Sequence, residues 1–393
     1  MTPKARIYFD YNATAPLRPE AARATCAALA LCANASSVHA EGRAARALIE
    51  TARRDVAALV GAKAAGVTFT SGGTEANNLA LAPGVHRLAR QGENAAPVRH
   101  LLLSAIEHPS VLEGHRFAAD AVRIIPVLET GVVDIAALEA MLRRLPAGEA
   151  ALVSVMLANN ETGVLQPVRK IAALVHEFGG IVHSDAIQAA GKIEVDMAEL
   201  GCDLMSLSAH KIGGPQGVGA LVSAPDIALG ERHMRGGGQE GGRRSGTENL
   251  PGIAGFGAAA KAAAAAMPEM DKVRRMRDRL EAGVRGIMPE ARIVGEGEAR
   301  LPNTLCFSAT GRSAESLVIA FDLAGIAVSS GSACSSGKVA PSHVLRAMGM
   351  ASEAAASAVR VSIGAETGEQ ETARFLEVWS DIRARAAIRS SAA

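Results

Sequence analysis

Aromatic side chains are scarce in this chain of 393 residues: eight Phe, two Tyr and one Trp. A surface that stacks successive bases needs more, so single-stranded nucleic acid is a poor fit as ligand. An excess of one charge is also lacking. Forty-one Lys and Arg face forty Asp and Glu, a formal net charge of +1, which offers no field to nucleic acid or to an anionic membrane. The cysteines are five, Cys26, Cys32, Cys202, Cys306 and Cys334. Their number is odd and no two form C-x-x-C, which speaks against a disulfide framework and a zinc ribbon. No apolar run approaches the roughly 20 residues of a membrane span, and the first ten residues lack the apolar core of a secretion signal. No Walker A sequence occurs. These absences leave a soluble, cytoplasmic protein as the expectation.

What is present is length and small residues. The chain can hold two domains and a large core, and 49% of it is hydrophobic with 40 Gly. One stretch organises the rest: Ser206 to Leu221, with Lys211 at its centre, set after an apolar run and before four glycines. Desolvation disfavours an ammonium, so a buried lysine has a lowered pKa and can form Schiff bases with aldehydes, pyridoxal phosphate among them. A lysine capping a strand end beside a tight turn fits the same local pattern.

The order of elements narrows this. After an irregular polar lead (Tyr8, Asp10, Tyr11, Asn12), helices are expected over 19–31 and 42–60, with Asn34, Ser36, Ser37 and His39 in the loop between and His39 at the surface or a helix entry. Val67–Thr70 alternates like a strand, and the small residues after it turn into a helix carrying Gly73 and Thr74. Such a turn lets backbone N–H groups meet a phosphate, or else Thr74 is a plain N-cap. Strands at 101–104, 122–127, 151–157, 181–184 and 204–207 alternate with helices, the signature of a largely parallel sheet covered on both faces. Thr74, His108, Asn160, Asp185 and Lys211 all fall just after strands, where ligands of such sheets collect. Residues 235–249 match G-x-G-x-x-G formally, but no strand feeds the match; a flexible loop presenting Arg243, Arg244 and Thr247 to an anion is expected instead. A long helix over 252–285 leads to a second domain with strands at 302–308 and 326–329, and Cys306 belongs to its core. Cys334 lies in a run of small polar residues that favours an exposed thiol. Pro341 begins a short helix, Arg360 sits in a strand facing a carboxylate, and the last helix covers 368–387.

Seven motifs occur together: Thr70-Ser-Gly-Gly-Thr-Glu-Ala-Asn-Asn, Glu107-His108, Asn159-Asn-Glu, His183-Ser-Asp-Ala-Ile-Gln, Ser208-Ala-His-Lys, Arg244-Ser-Gly-Thr and Ser330-Gly-Ser-Ala-Cys. In this order they resemble the cysteine desulfurases of the nitrogen-fixation and iron–sulfur-cluster type, in the class V aminotransferases that use pyridoxal phosphate. The resemblance implies a fold type I α/β protein: a large cofactor domain over 15–260 and a small α+β domain from 1–14 and 261–393. It implies that Lys211 carries the cofactor, that Asp185 pairs with the pyridine nitrogen, and that His108 stacks on the ring and shares in proton transfer. Gln188 would bond the phenolic oxygen; Gly73, Thr74, Ser208 and His210 would hold the phosphate, joined by Thr247 from the other subunit of a homodimer. Arg360, Asn160 and Asn34 would grip the substrate carboxylate. Cys334 would take sulfur from L-cysteine as a persulfide, leaving L-alanine, and pass it to an iron–sulfur scaffold or another acceptor protein. No metal is implied as enzyme cofactor, although Cys334 could contact a cluster during transfer.

The seven residues from Cys334 to Pro341 resemble the long-loop branch. Ala35 stands where the family usually has Pro, and Lys338 and Ala340 replace hydroxyl and acidic residues. Competing readings on this fold are a selenocysteine lyase or cysteine-sulfinate desulfinase, a class V aminotransferase of small amino acids, and an inactive scaffold partner. Cys334 in its loop argues against the first two, and Lys211, Asp185 and Cys334 together against the last.

Overall fold

The computed structural model describes residues 6–88, 96–330 and 342–391. Its centre is a seven-stranded sheet whose strands, numbered within it in chain order, are β1 (Val67–Thr70), β2 (Val98–Ser104), β3 (Val122–Ile125), β4 (Ala150–Ser154), β5 (Ile181–Asp185), β6 (Leu204–Ser208) and β7 (Gly219–Ser223). Their spatial order is β1-β7-β6-β5-β4-β2-β3. The pairings from β3 through β2, β4 and β5 to β6 are parallel; β7 runs antiparallel to both β6 and β1. In β1, β4, β5, β6 and β7 every residue is buried. A strand with both faces covered needs apolar or internally bonded residues throughout: β4 and β7 are mostly apolar, and the polar His183 of β5 is bonded to Ser154 and Ser206 on its neighbours.

One face packs on helices Ala40–Leu59 and Leu250–Ala265 through Ile49, Val56, Ile253 and Phe256, which join Phe69 and Leu207 in one cluster. Burying a side chain of that size contributes about 1.5–3 kcal/mol each. A second, four-stranded antiparallel sheet is built from Arg292–Ile293, Thr304–Ser308, Ser329–Ser330 and Ala358–Ser362. Its core holds much of the scarce aromatic content: Phe9, Phe307, Phe321, Phe375 and Trp379, with Phe321 stacked on Phe375 at 4.8 Å between centroids. The N-terminal lead belongs spatially to this second unit, because Ile7–Tyr8 pairs in parallel with Ile326–Ala327.

The expected helix over 252–285 is two helices. Leu250–Ala265 and Met270–Ile287 are separated by a short 3₁₀ turn, Met267–Glu269, and bend by 52°. Pro268 is the cause: it has no N–H to donate and clashes with the preceding turn. The strand expected at 326–329 is likewise two short pieces, Ile326–Ala327 and Ser329–Ser330, each on a different sheet. The short helix after the cysteine run is His343–Ala347, capped by Ser342, whose hydroxyl accepts from Leu345 N; Pro341 lies outside the described residues. His39 caps helix Ala40–Leu59, its ring accepting from Gly42 N at 3.3 Å. Among the described residues no single helix is long and apolar enough to cross a membrane.

Candidate active site

The parallel strands share one orientation, so their C-terminal ends lie along one edge of the sheet, where the chain leaves into loops. A cavity of about 360 Å³ opens there. β6 delivers Ser208, His210 and Lys211 to it, β5 delivers Asp185 and Gln188, β4 leads to Asn160, β2 to His108, and β1 to Gly73 and Thr74. Arg360 enters from the small sheet.

At one end is the first turn of helix Gly73–Ala80. Its N-cap is Gly72, without a side-chain bond, so Thr74 is not the cap that the sequence also allowed. The free N–H groups and positive dipole end of this turn face Ser208 and His210 across the cavity. A Cβ on Gly73 would meet Ile187 Cδ1 at 2.3 Å, so the glycine keeps the space clear.

In the middle, Asp185 is buried. Its Oδ2 accepts from Asn77 Nδ2 at 2.8 Å and its Oδ1 from Ile187 N at 2.9 Å. Burial raises its carboxyl above the ordinary value, against the pull of these donors and of His108 and Lys211. A cation set against it would restore the carboxylate. His108 has its own chain of bonds. Its Nδ1 accepts from Ser110 N at 3.1 Å and lies 2.8 Å from Ser110 Oγ, which accepts from Asn77 Nδ2 at 2.9 Å. The backbone donor leaves Nδ1 as acceptor, which puts the ring proton on Nε2 (an assignment made from the network). Burial keeps the ring's pKa below its ordinary value, with Asp185 opposing and Lys211 and His343 reinforcing.

Lys211 Nζ closes the other end, donating to the main-chain oxygens of Asn12 at 2.7 Å and Ala13 at 2.8 Å. Arg360 donates from Nη1 to Asn160 O at 2.9 Å and from Nη2 to Asp10 Oδ1 at 2.8 Å, so a strand arginine does face a carboxylate, one of this same chain. Its Nε is buried without a hydrogen-bond partner among the described residues.

The match to the class V aminotransferase family model runs over residues 7–375. The chain belongs to that family. A cysteine desulfurase of Cereibacter sphaeroides is 43% identical over 380 residues, 95% of this chain and 94% of the relative. The structure of a NifS-like protein from Rickettsia africae superimposes with a TM-score of 0.86 at 34% identity, covering 96% of this chain and 99% of that one. A structure titled SspA in complex with cysteine gives 0.71 at 28% identity over 91% and 98% of the two chains. Within its family the chain falls among the NifS- and IscS-like cysteine desulfurases, enzymes dependent on pyridoxal phosphate.

The residues present fit that group. An uncapped helix turn with Ser208 and His210 suits a phosphate, the buried Asp185 suits a protonated pyridine nitrogen, and the imidazole of His108 and the amine of Lys211 border the same cavity, chemistry that suits an aromatic aldehyde.

Not every expected residue is in this cavity. Asn34 holds Ser36 N with its own Oδ1 and does not line it. Thr247 is exposed and does not line the cavity of its own chain. Cys334 lies outside the described residues. Arg243 and Arg244 do not offer themselves to an anion as expected: Arg244 pairs with Glu75 at 2.9 Å, and Arg243 donates to Ala65 O at 2.9 Å. Their partners lie about 170 residues back, so composition made the loop look free. Sequence reasoning also passed over Asn12 and Lys192. The criterion that singled out Lys211, a lysine among small residues, applies equally to Ala189-Ala-Gly-Lys192.

Proposed function

We propose that this enzyme takes L-cysteine into the Lys211 cavity, yields L-alanine, and passes the sulfur as a persulfide on Cys334 to an acceptor protein, iron–sulfur cluster assembly being the destination. The observation that carries this reading is one cavity bordered by Lys211, Asp185, His108 and Arg360. Bound pyridoxal phosphate supplies an electron sink for the bonds broken at the substrate. Lys211 is the residue that carries it and, once released, moves the proton at the substrate Cα. The N–H groups of the turn at Gly73 and Thr74, with Ser208 and His210, anchor the phosphate, and Asp185 keeps a positive charge on the ring nitrogen. Gln188 donates to the ring's phenolic oxygen. Arg360, with Asn160, receives the substrate carboxylate, using donors that Asp10 and Asn160 O do not occupy. His108, neutral with its proton on Nε2, enters as a proton donor.

The Cys334 thiolate attacks Sγ of the substrate. The Cβ–Sγ bond breaks, the new S–S bond forms, and Cβ keeps the electron pair and takes a proton to become the methyl of alanine.

We divide the chain into a cofactor domain over 15–260 and a small domain from 1–14 and 261–393, working in the cytoplasm as a homodimer with Thr247 reaching the neighbouring site. Leu29, Leu31 and Val38 are 66%, 43% and 85% exposed in a single chain, apolar surface that a second subunit would cover.

Purified enzyme supplied with L-cysteine and a thiol reductant is expected to be yellow and to release alanine and sulfide. Cys334→Ser keeps the colour and loses the sulfide; Lys211→Ala loses the lysine-bound chromophore and turnover. Full sulfide release by Cys334→Ser would sink the persulfide route.

A further inference from the structure

Lys192 is placed as unusually as Lys211. It is 7% exposed, yet among the described residues its Nζ donates to no carboxylate: it goes to Gln188 Oε1 at 2.7 Å and to Asn12 Oδ1 at 3.2 Å. Burial, together with the nearby charges of Lys211 and Arg360, pushes its pKa well below the ordinary value. Holding an amine in such a place is costly unless its bonds do something.

Those bonds converge on two groups that border the cavity. Gln188 and Lys192 sit four residues apart in overlapping turns, in which Ala190 N bonds to Ala186 O and Ile193 N to Ala189 O; the chain reverses at Gly191, whose φ is 72°, and the two side chains meet. The Gln188 amide is held at both ends. Oε1 receives Lys192, and Nε2 donates to Asn12 O at 3.0 Å. Its second amide hydrogen is left for the cavity that Gln188 lines.

Asn12 is the hub of the arrangement. Its main-chain oxygen also receives Lys211 Nζ at 2.7 Å. Its Oδ1 also receives Asn303 Nδ2 at 3.0 Å, and its Nδ2 donates to Thr304 Oγ1 at 2.9 Å, so it is tied to the small sheet as well. Without Lys192, the Gln188 amide would lose the donor that fixes Oε1, and Asn12 would lose one of the bonds that fix its side chain.

We propose that Lys192 is a positioning residue that clamps the Gln188 amide and the Asn12 side chain together, so that Gln188 presents an N–H to the cofactor ring and Asn12 O stays where it receives Lys211. This rests on the reading that the cavity holds pyridoxal phosphate with Gln188 facing its ring. A merely structural lysine would show itself in stability. A clamp shows itself in the electronic state of the chromophore it positions.

The test uses holoenzymes of wild type, Lys192→Met, Gln188→Ala and the double variant. It reads the melting temperature, the position of the visible absorption band, kcat and KM. Methionine matches lysine in length and replaces a buried amine by an apolar group, which relieves the cost of burying the amine and sets against it the donor that Gln188 Oε1 loses. Lys192→Leu is carried alongside, so that a folding failure of one leaves the other to be read. The expected result is a melting temperature within a few degrees of wild type, a shifted band, and kcat lowered about tenfold at similar KM, the scale of one lost hydrogen bond. Gln188→Ala should shift the band too, and adding Lys192→Met to it should bring little further shift, because the lysine acts through that amide. A wild-type band and kcat in Lys192→Met, or a full additional shift in the double variant, overturns the clamp and leaves the cofactor reading standing. If Gln188→Ala leaves the band unchanged, the assignment of Gln188 to the ring falls first and the clamp falls with it.

Discussion

Glu107 and His183 are both fully buried, and burial moves them in opposite directions. The His183 ring is pushed down to about 3, so it stays neutral between Ser154 Oγ and Ser206 Oγ. The Glu107 carboxyl is pushed up to about 8, with the charge of Asp185 adding to the effect of burial. Its Oε1 accepts from Ser104 Oγ at 2.6 Å and Met156 N at 2.7 Å, while Oε2 has no partner among the described residues. A neutral Glu107 leaves Asp185 as the carboxyl group that borders the cavity. It also gives a pH dependence with a definite sign. The unfolded chain releases this proton near its ordinary value of 4.5, whereas the folded chain holds it to about 8. Between those values the folded state binds the extra proton, so stability falls as pH rises, by at most about 1.4 kcal/mol per pH unit. His183 acts the other way: the stability it carries is present above its ordinary value of 6.5 and is lost as pH falls toward 3. Glu107→Gln removes the first effect alone. Urea unfolding at about pH 5 and pH 8 should show a smaller drop for the variant than for wild type. A stability difference between the two proteins that stays constant with pH would place the Glu107 titration elsewhere.

The turn from β1 into helix Gly73–Ala80 is the element on which the proposed phosphate binding rests. Alanine at residue 73 is no worse a helix former than glycine, but its Cβ would push Ile187 Cδ1 out of a 2.3 Å overlap, and Ile187 borders the cavity. Gly73→Ala is therefore expected to keep its circular dichroism and apo melting temperature while binding pyridoxal phosphate at least about tenfold more weakly, the cost of a side chain forced into a packed site. Equal affinity, read by titration of the apoenzyme, would show that Ile187 turns away from the cavity. This element was legible in the sequence because everything it needs is local: an alternating strand, small residues, then a helix. The same holds for Asp185 and Lys211, which follow their own strands directly. The clamp at Asn12 was not legible. Its bonds to Lys192, Lys211, Asn303 and Thr304 span roughly 180 to 290 residues and come into being only when the two sheets meet. The bend at Pro268 was in plain view, but an alanine-rich run carried the helix reading across it.

On the scale of the whole molecule, the small sheet and the N-terminal lead meet the large sheet at the substrate end of the cavity. Arg360, from the small sheet, is held between Asp10 of the lead and Asn160 of the large-sheet side. One chain thus supplies both the Gly73 turn and Arg360 to one cavity. It does not supply Thr247, which is exposed and away from its own cavity, although a phosphate at the Gly73 turn can take more donors. A shared site in a two-fold dimer resolves this and makes a genetic prediction. Co-expressed Lys211→Ala and Thr247→Ala chains form mixed dimers. In these, one site has an intact Lys211 from the second chain and an intact Thr247 from the first. Random pairing makes about a quarter of all sites whole, so sulfide release by the mixture should exceed the mean of the two variants measured apart. If Thr247 serves its own chain, each Lys211 that remains is paired with the altered residue, and the mixture cannot rise above that mean. Activity at the mean would therefore move Thr247 out of the neighbouring site.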